Sequence, residues 1–486
     1  MTALIEWTAG ALVPPKLSIP SFVDLSELFK VSAPGLAYIV LGGFVVAFSV
    51  VSLLVKDKLF ISEVVLGTAF GVLVGPYGWG IFDPHSWGSS PKVTLEVMRV
   101  VLAIGLFAIG VELPRNYMAR HAKGLLVMVV PTMAFGWVTV AGVLRVLFKD
   151  LNFVSCLAIA ACLTPTDPII CAAIVGGNFA LKHVPVNIRH MLSAEAAVND
   201  GLAYPFLSIS IYLTVESSKR VALEKWLIIG WLYEVVLGVA LGAILGLMFS
   251  SLMKASLQKG YIDHESYIAQ YLALTLFTVG IATTVGSDDL LAAFAAGTAV
   301  SWDGDFNVQT EGEAFASVMD LVLNCGCFVY IGAWLRFGAF DDPLLGVTLG
   351  RLMILLLAIL ILRRIPSLLV LYRWIPEIES WRDALFVGHF GPMGVGAIFV
   401  STLALTRLPE PHYPPQNQEE LLAATLQPIV SFVVLGSIII HGLSIPFFSF
   451  GKKISRTSTL LAPKKSSDLE NRVEDVPRQS NVGTPS

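Results

Sequence analysis

CLTPTDPIICAA, residues 162–173, lies inside a long apolar run, yet it carries two prolines, two hydroxyls and a carboxylate. Pro165 and Pro168 each lack an N–H and each clash with the carbonyl four residues back, so the carbonyls near Ala161 and Thr164 lose their helical partners. Asp167 followed by Pro168 is also a helix cap followed by a residue suited to the first helical position, which restarts a second half-helix. The stretch therefore predicts one span made of two half-helices that meet at mid-membrane. Thr164 and Thr166 bring hydroxyls to the same break. A bare carboxylate in hydrocarbon costs about 3 kcal/mol or more, so Asp167 is expected to neutralise positive helix ends there rather than merely to cap a kink.

The surroundings are of the same kind. Of 486 residues 55% are hydrophobic and 14% charged, with mean hydropathy +0.74, which places the chain among all-α polytopic membrane proteins. A net charge of −4 gives no reason to expect nucleic acid as a partner. No G-x-x-x-x-G-K-[ST] loop appears, so ATP coupling is not expected, nor is a soluble enzyme or a cofactor. The five cysteines, Cys156, Cys162, Cys171, Cys325 and Cys327, all fall in apolar segments, where a thiol packs as a hydrophobe. The Cys-x-Cys pair 325/327 lacks the further ligands of a zinc site. The N-terminus has no basic region followed by a long apolar stretch, and no removable signal peptide is expected.

A span needs about 20 apolar residues, fewer where a helix is broken inside protein. Thirteen stretches qualify: 35–55, 60–81, 94–112, 124–147, 151–176, 187–215, 226–252, 265–286, 289–302, 315–337, 345–364, 381–406 and 421–448. The twelfth repeats the pattern of the fifth. In HFGPMGVGAIF, residues 389–399, Gly391, Pro392, Gly394 and Gly396 interrupt an apolar run. A separation of seven fits two inverted six-helix repeats about a linking seventh span, with spans 5 and 12 crossing at mid-membrane. Paired discontinuous helices of this kind point to an ion site. Residues 1–34 read as an irregular or amphipathic lead-in, 35–450 as the transmembrane domain, and 451–486 as a short disordered tail. Lys/Arg bias, eleven against seven by loops and span ends, puts the N-terminus outside and the C-terminus in the cytoplasm.

The sixth span carries MLSAEAAVNDGLAYPF, residues 191–206. Glu195 and Asn199 share a face at i, i+4, whereas Asp200 is turned about 140° from Glu195. The two carboxylates thus serve different partners. Asp200 is the candidate that holds an alkali cation (Na+ or Li+) when ionised and a proton when neutral; one group cannot do both at once, and that exclusion couples the two fluxes. Hard cations take oxygen ligands: a carboxylate, freed carbonyls, hydroxyls and water. Asn199 does not titrate and is expected to hold the break or orient Asp200. Glu195 wants a permanent counter-charge, and LILRRIPSLLVLYR offers Arg363 and Arg364; at least one of these is expected to serve instead as a positive flank. Glu112 closes the third span, either snorkelling to the interface or reaching the ion site through a kink. His389 stands beside the second break as a helix-end charge, a pH-responsive group or a packed neutral ring.

With TPTDP at 164–168 and E-x-x-x-N-D at 195–200, the sequence resembles the cation–proton antiporter superfamily. RRIP at 363–366 and GHFGPMGVGAIF at 388–399 make it similar to the fungal plasma-membrane Na+(K+)/H+ antiporters. The resemblance covers roughly residues 35–450 and implies a homodimer in the plasma membrane, with a core domain moving against a dimerisation domain. It implies exchange of Na+ or Li+, and of K+ in some relatives, for protons, exporting cations for salt tolerance and pH homeostasis. It further implies Asp200 as carrier, Asp167 with the Thr166 backbone at the crossing, and Glu195 paired with Arg364, the arginine three residues before Ser367. Two departures stand out: Ala196 replaces a common serine, and Gly391-Pro392-Met393-Gly394 has no arginine where animal exchangers have one. A cation channel or a K+-selective exchanger are the rival readings. An intramembrane aspartyl protease fails, because no G-x-G-D stretch is present.

Overall fold

The computed structural model describes residues 31–59, 61–175, 178–310 and 315–461. The expectations for residues 1–30 and for the tail beyond residue 461 lie outside the described residues. Among the described residues the chain is helical, with one isolated bridge between Asp342 and Val347.

In chain order the apolar helices are α1 (Ala33–Leu53), α2 (Glu63–Val74), α3 (Ser90–Glu112) and α4 (Ala122–Leu147). The broken pair α5a (Phe153–Cys162) and α5b (Pro168–Val175) follows, then α6 (Val186–Val215). Next come α7 (Lys219–Gln258), α8 (His264–Val285), α9 (Asp289–Val300), α10 (Phe315–Trp334) and α11 (Leu349–Leu362). A second broken pair, α12a (Trp381–His389) and α12b (Val395–Leu405), precedes α13 (Gln418–Leu461), which runs past residue 450. Among the described residues seven helices are long and apolar enough to cross a membrane, and shorter apolar helices accompany them. The protein is therefore a multi-pass membrane protein.

Local chemistry sets the ends. Asp263 accepts the Ser266 N–H at 2.8 Å to open α8, and Gly286, at φ 84°, closes it in the left-handed region that suits glycine. Ser380 and Asp383 form a reciprocal capping box on α12a. Pro165 and Pro168 place the α5 break where the sequence predicts it, and α5b starts at Pro168. A less obvious break lies after α11. Pro366 opens a separate short helix, Ile365–Leu371, so the chain turns at Arg363 and Arg364. Both side chains point inward, 5% and 4% exposed. The expectation that at least one forms a positive flank is corrected: the helix break at Pro366 turns the chain so that both are buried.

The helices form two groups. α7 packs on α8 and α9, these two pack on α3, and α2 packs on α10; Gly238, Gly242 and Gly246 of α7 lie buried, and small residues let such backbones approach. The other group brings α4, α5a, α11 and α13 together. α6 and α12b lie between the groups, touching α3 on one side and α5a on the other. Within α7 the stretch Trp226–Val236 is wound with i→i+5 hydrogen bonds, a widened form that is frequent at functional sites.

Candidate functional site

The two broken spans meet backbone to backbone. The Asp167 N–H donates to the Pro392 carbonyl at 2.7 Å. Each break leaves helix ends without partners, and two side chains satisfy them reciprocally. Asp167, 1% exposed, accepts from the Ile170 N–H at 2.8 Å through one carboxylate oxygen. Its other oxygen accepts from the Val395 and Gly396 N–H groups. It thereby caps α5b and α12b together. Arg363 meets the opposite ends. Its Nη1 donates to the carbonyls of Leu163, Thr164 and Pro165 at 2.7, 3.1 and 3.2 Å, and its Nη2 donates to the Gly391 carbonyl. The charge that the GPMG break lacks comes from the end of α11.

Arg364 turns to Glu195. Its two terminal nitrogens donate to the two carboxylate oxygens, a bidentate pair, and its Nε donates to the Val387 carbonyl at 3.1 Å. Glu195 is 1% exposed. One turn further along α6, the Asn199 amide donates to Glu195 at 3.1 Å and to the Thr166 hydroxyl at 3.3 Å. Asn199 thus ties α6 to the α5 break and gives no hydrogen bond to Asp200. Thr164 donates its hydroxyl to the Ala160 carbonyl at 2.6 Å.

Asp200 differs from all of these. It is 3% exposed, and neither carboxylate oxygen has a hydrogen-bond partner. It lines a cavity of about 160 Å³ walled by α3, α6, α7, the α8–α9 junction and α12b. Buried polar atoms are nearly always paired, so two orphaned oxygens facing a cavity are what an oxygen-ligated cation or a proton requires. Gly396 of α12b makes this possible, because a Cβ there would fall far inside contact distance of Asp200 Oδ1. Gly394 does the same for Asp167, where a Cβ would lie 2.6 Å from Oδ2. Gly396→Ala is expected to slow cation-driven proton flux on the order of a hundredfold by displacing the carboxylate. Flux per monodisperse protein in vesicles checks this, and wild-type flux would show that the close approach is immaterial.

Glu112 ends α3 exposed and does not line the Asp200 cavity. His389 also lies off it, with Nε2 at 3.1 Å from the Ser444 hydroxyl and its ring stacked on His441 at 5.4 Å. The cavity wall holds charged groups that sequence reading passed over: Arg99, Glu234, Asp288, Asp289 and Arg407. The available signal was the acidic pair 288–289 at the junction of two apolar stretches.

Residues 44–451 match the transmembrane sodium/hydrogen exchanger family. The chain belongs to that family. A probable Na+/H+ antiporter of Schizosaccharomyces pombe is 44% identical to this chain over 436 residues, covering 88% of the chain and 57% of the relative. A second Na+/H+ antiporter of that yeast is 36% identical over 452 residues, covering 91% of the chain and 96% of the relative. The chain spans about half the length of the first curated relatives it matches. Among solved structures, the sodium proton antiporter MjNhaP1 from Methanocaldococcus jannaschii superposes with a TM-score of 0.64 at 16% identity, covering 86% of this chain and 99% of that one. The chain shares its fold.

Proposed function

We propose that the chain exchanges alkali cations, Na+ and Li+ first and K+ by the same route, for protons by alternating access, with Asp200 as the carrier. The observation that carries this reading is the Asp200 carboxylate, buried against a cavity with neither oxygen hydrogen-bonded. The names of the relatives, Na+/H+ antiporters, support it. Asp167 and Arg363 hold the crossing, Asn199 and Thr166 tie it to α6, and Glu195 with Arg364 forms a permanent clamp. The reading extends to a homodimer in the plasma membrane, N-terminus outside and C-terminus cytoplasmic, exporting cations for salt tolerance and pH homeostasis; the Lys/Arg bias supports that orientation.

The test is proton movement in proteoliposomes of the purified chain under imposed Na+, Li+ or K+ gradients. Protons are expected to move only when a cation gradient is present. Cation flux without proton coupling would make the cavity part of a pore and overturn the proposal. Because both ligands share one carboxylate, each lowers the affinity of the other. Lowering the pH therefore weakens apparent Na+ affinity, by about tenfold per pH unit in the acid limit. Half-saturating Na+ measured across a pH series checks the sign, and a flat series contradicts single-site competition.

A further inference from the structure

Two arginines, Arg99 and Arg407, line the cavity that holds Asp200, which is unexpected for a cation path. Arg99 comes from α3, with its Nε 2.7 Å from Asp289 Oδ2 and its Nη1 2.6 Å from Glu96; it is held on its own helix group. Arg407 is placed differently. It follows α12b at the mouth of the cavity, with its side chain 36% exposed, and its guanidinium lies 4.8 Å from the Tyr204 ring centre and donates to the Tyr204 hydroxyl. Tyr204 stands one turn from Asp200 on α6. Across the cavity, Arg407 Nη2 is 3.8 Å from Glu234 Oε1, an ion pair too long for a hydrogen bond. Glu234, 10% exposed at the side chain, sits in the widened stretch Trp226–Val236 of α7.

The aromatic ring and its hydroxyl, rather than the carboxylate, therefore fix the guanidinium. Glu234 is left facing a loosely held cation at the entrance to a site for a mobile one.

We infer that Arg407 is a tethered counter-ion that competes with the incoming alkali cation for Glu234, and that this pair sets the affinity of the entrance. The inference rests on the exchange reading above. An arriving cation displaces the guanidinium from Glu234 while Tyr204 retains it, and the returning guanidinium releases the cation toward Asp200. A path site must attract strongly enough to admit an ion and weakly enough to let it leave. Arg407 supplies the weakening. Without it, Glu234 becomes an unpaired carboxylate in a cleft that concentrates cations. Without Glu234, an unpaired guanidinium stands in the path.

These two losses have opposite signs, which a purely structural pair would not give. In sided proteoliposomes, Arg407→Gln is expected to lower half-saturating Na+ about tenfold for Na+ presented on the face bearing residues 406–417, with slower maximal turnover. Glu234→Gln is expected to raise it about tenfold, and the double variant to return within about threefold of wild type. Arg407→Lys keeps the charge without the stacked guanidinium and should shift half-saturating Na+ in the same direction as Arg407→Gln but less; thermal unfolding of each variant guards against loss of folding. Wild-type Na+-coupled proton flux in the same vesicles tests the exchange reading separately. If wild type is active while both single variants shift half-saturation in the same direction, or neither shifts it, the counter-ion role is overturned and the exchange reading stands.

Discussion

Asp200→Asn yields a folded protein that moves no protons when a Na+ gradient is imposed. The side chain keeps its shape and loses its charge, so it can neither hold a cation by ion pairing nor alternate with a proton. Folding is spared for a reason visible in the structure: neither Asp200 oxygen accepts a hydrogen bond, so the amide breaks none. Removing a buried charge that has no partner also relieves a desolvation penalty. The variant is therefore expected to unfold at or slightly above the wild-type temperature while its exchange falls to the level of empty vesicles. Thermal unfolding and cation-driven proton flux on one preparation check both halves. Exchange within a few-fold of wild type would remove Asp200 from the carrier role.

Glu195→Ala produces the opposite phenotype. It leaves the Arg364 guanidinium buried, with only the Val387 carbonyl as acceptor, and it takes an acceptor from Asn199. Breaking a buried ion pair by removing one partner costs about 3–5 kcal/mol. The variant should give low yields of folded protein and a markedly lower unfolding temperature. Replacing both partners by apolar residues, Glu195→Leu with Arg364→Met, should recover much of the loss, because an apolar pair leaves no uncompensated charge. Thermal unfolding of the two singles and the double tests this. A Glu195→Ala protein of wild-type stability with altered Na+ affinity would move Glu195 from the clamp to the ion site.

Where chemistry is local, the sequence is readable. Pro165, Asp167 and Pro168 break and restart a helix by backbone rules that need no tertiary information, and the i, i+4 spacing puts Glu195 and Asn199 on one face. Gly391 to Gly396 mark the second break in the same way. Arg363 was harder to read. Two adjacent arginines at the end of an apolar run look like an interfacial flank, and only the helix break created by Pro366 two residues later turns both inward. Of the cavity wall only the acidic pair 288–289 left a mark in the sequence. Glu234, Asp289 and Arg407 lie on α7, on α9 and after α12b, and no periodicity along one helix records that three separate elements converge above Asp200. Asn199 shows the intermediate case: its face was evident, but its partners, Thr166 and Glu195 rather than Asp200, depend on how α6 meets the broken helix.

The crossing carries its own counter-charges. Asp167 answers the two positive helix ends, Arg363 answers the negative ones, and Glu195 with Arg364 adds nothing net. On the exchange reading, Asp200 is neutral with a sodium ion and neutral with a proton. The moving element then carries the same total charge in both directions. A voltage of 100 mV does about 2.3 kcal/mol of work on each charge that crosses, and here it finds no charge to drive. Turnover of such a carrier ignores the electrical gradient and answers only to concentrations.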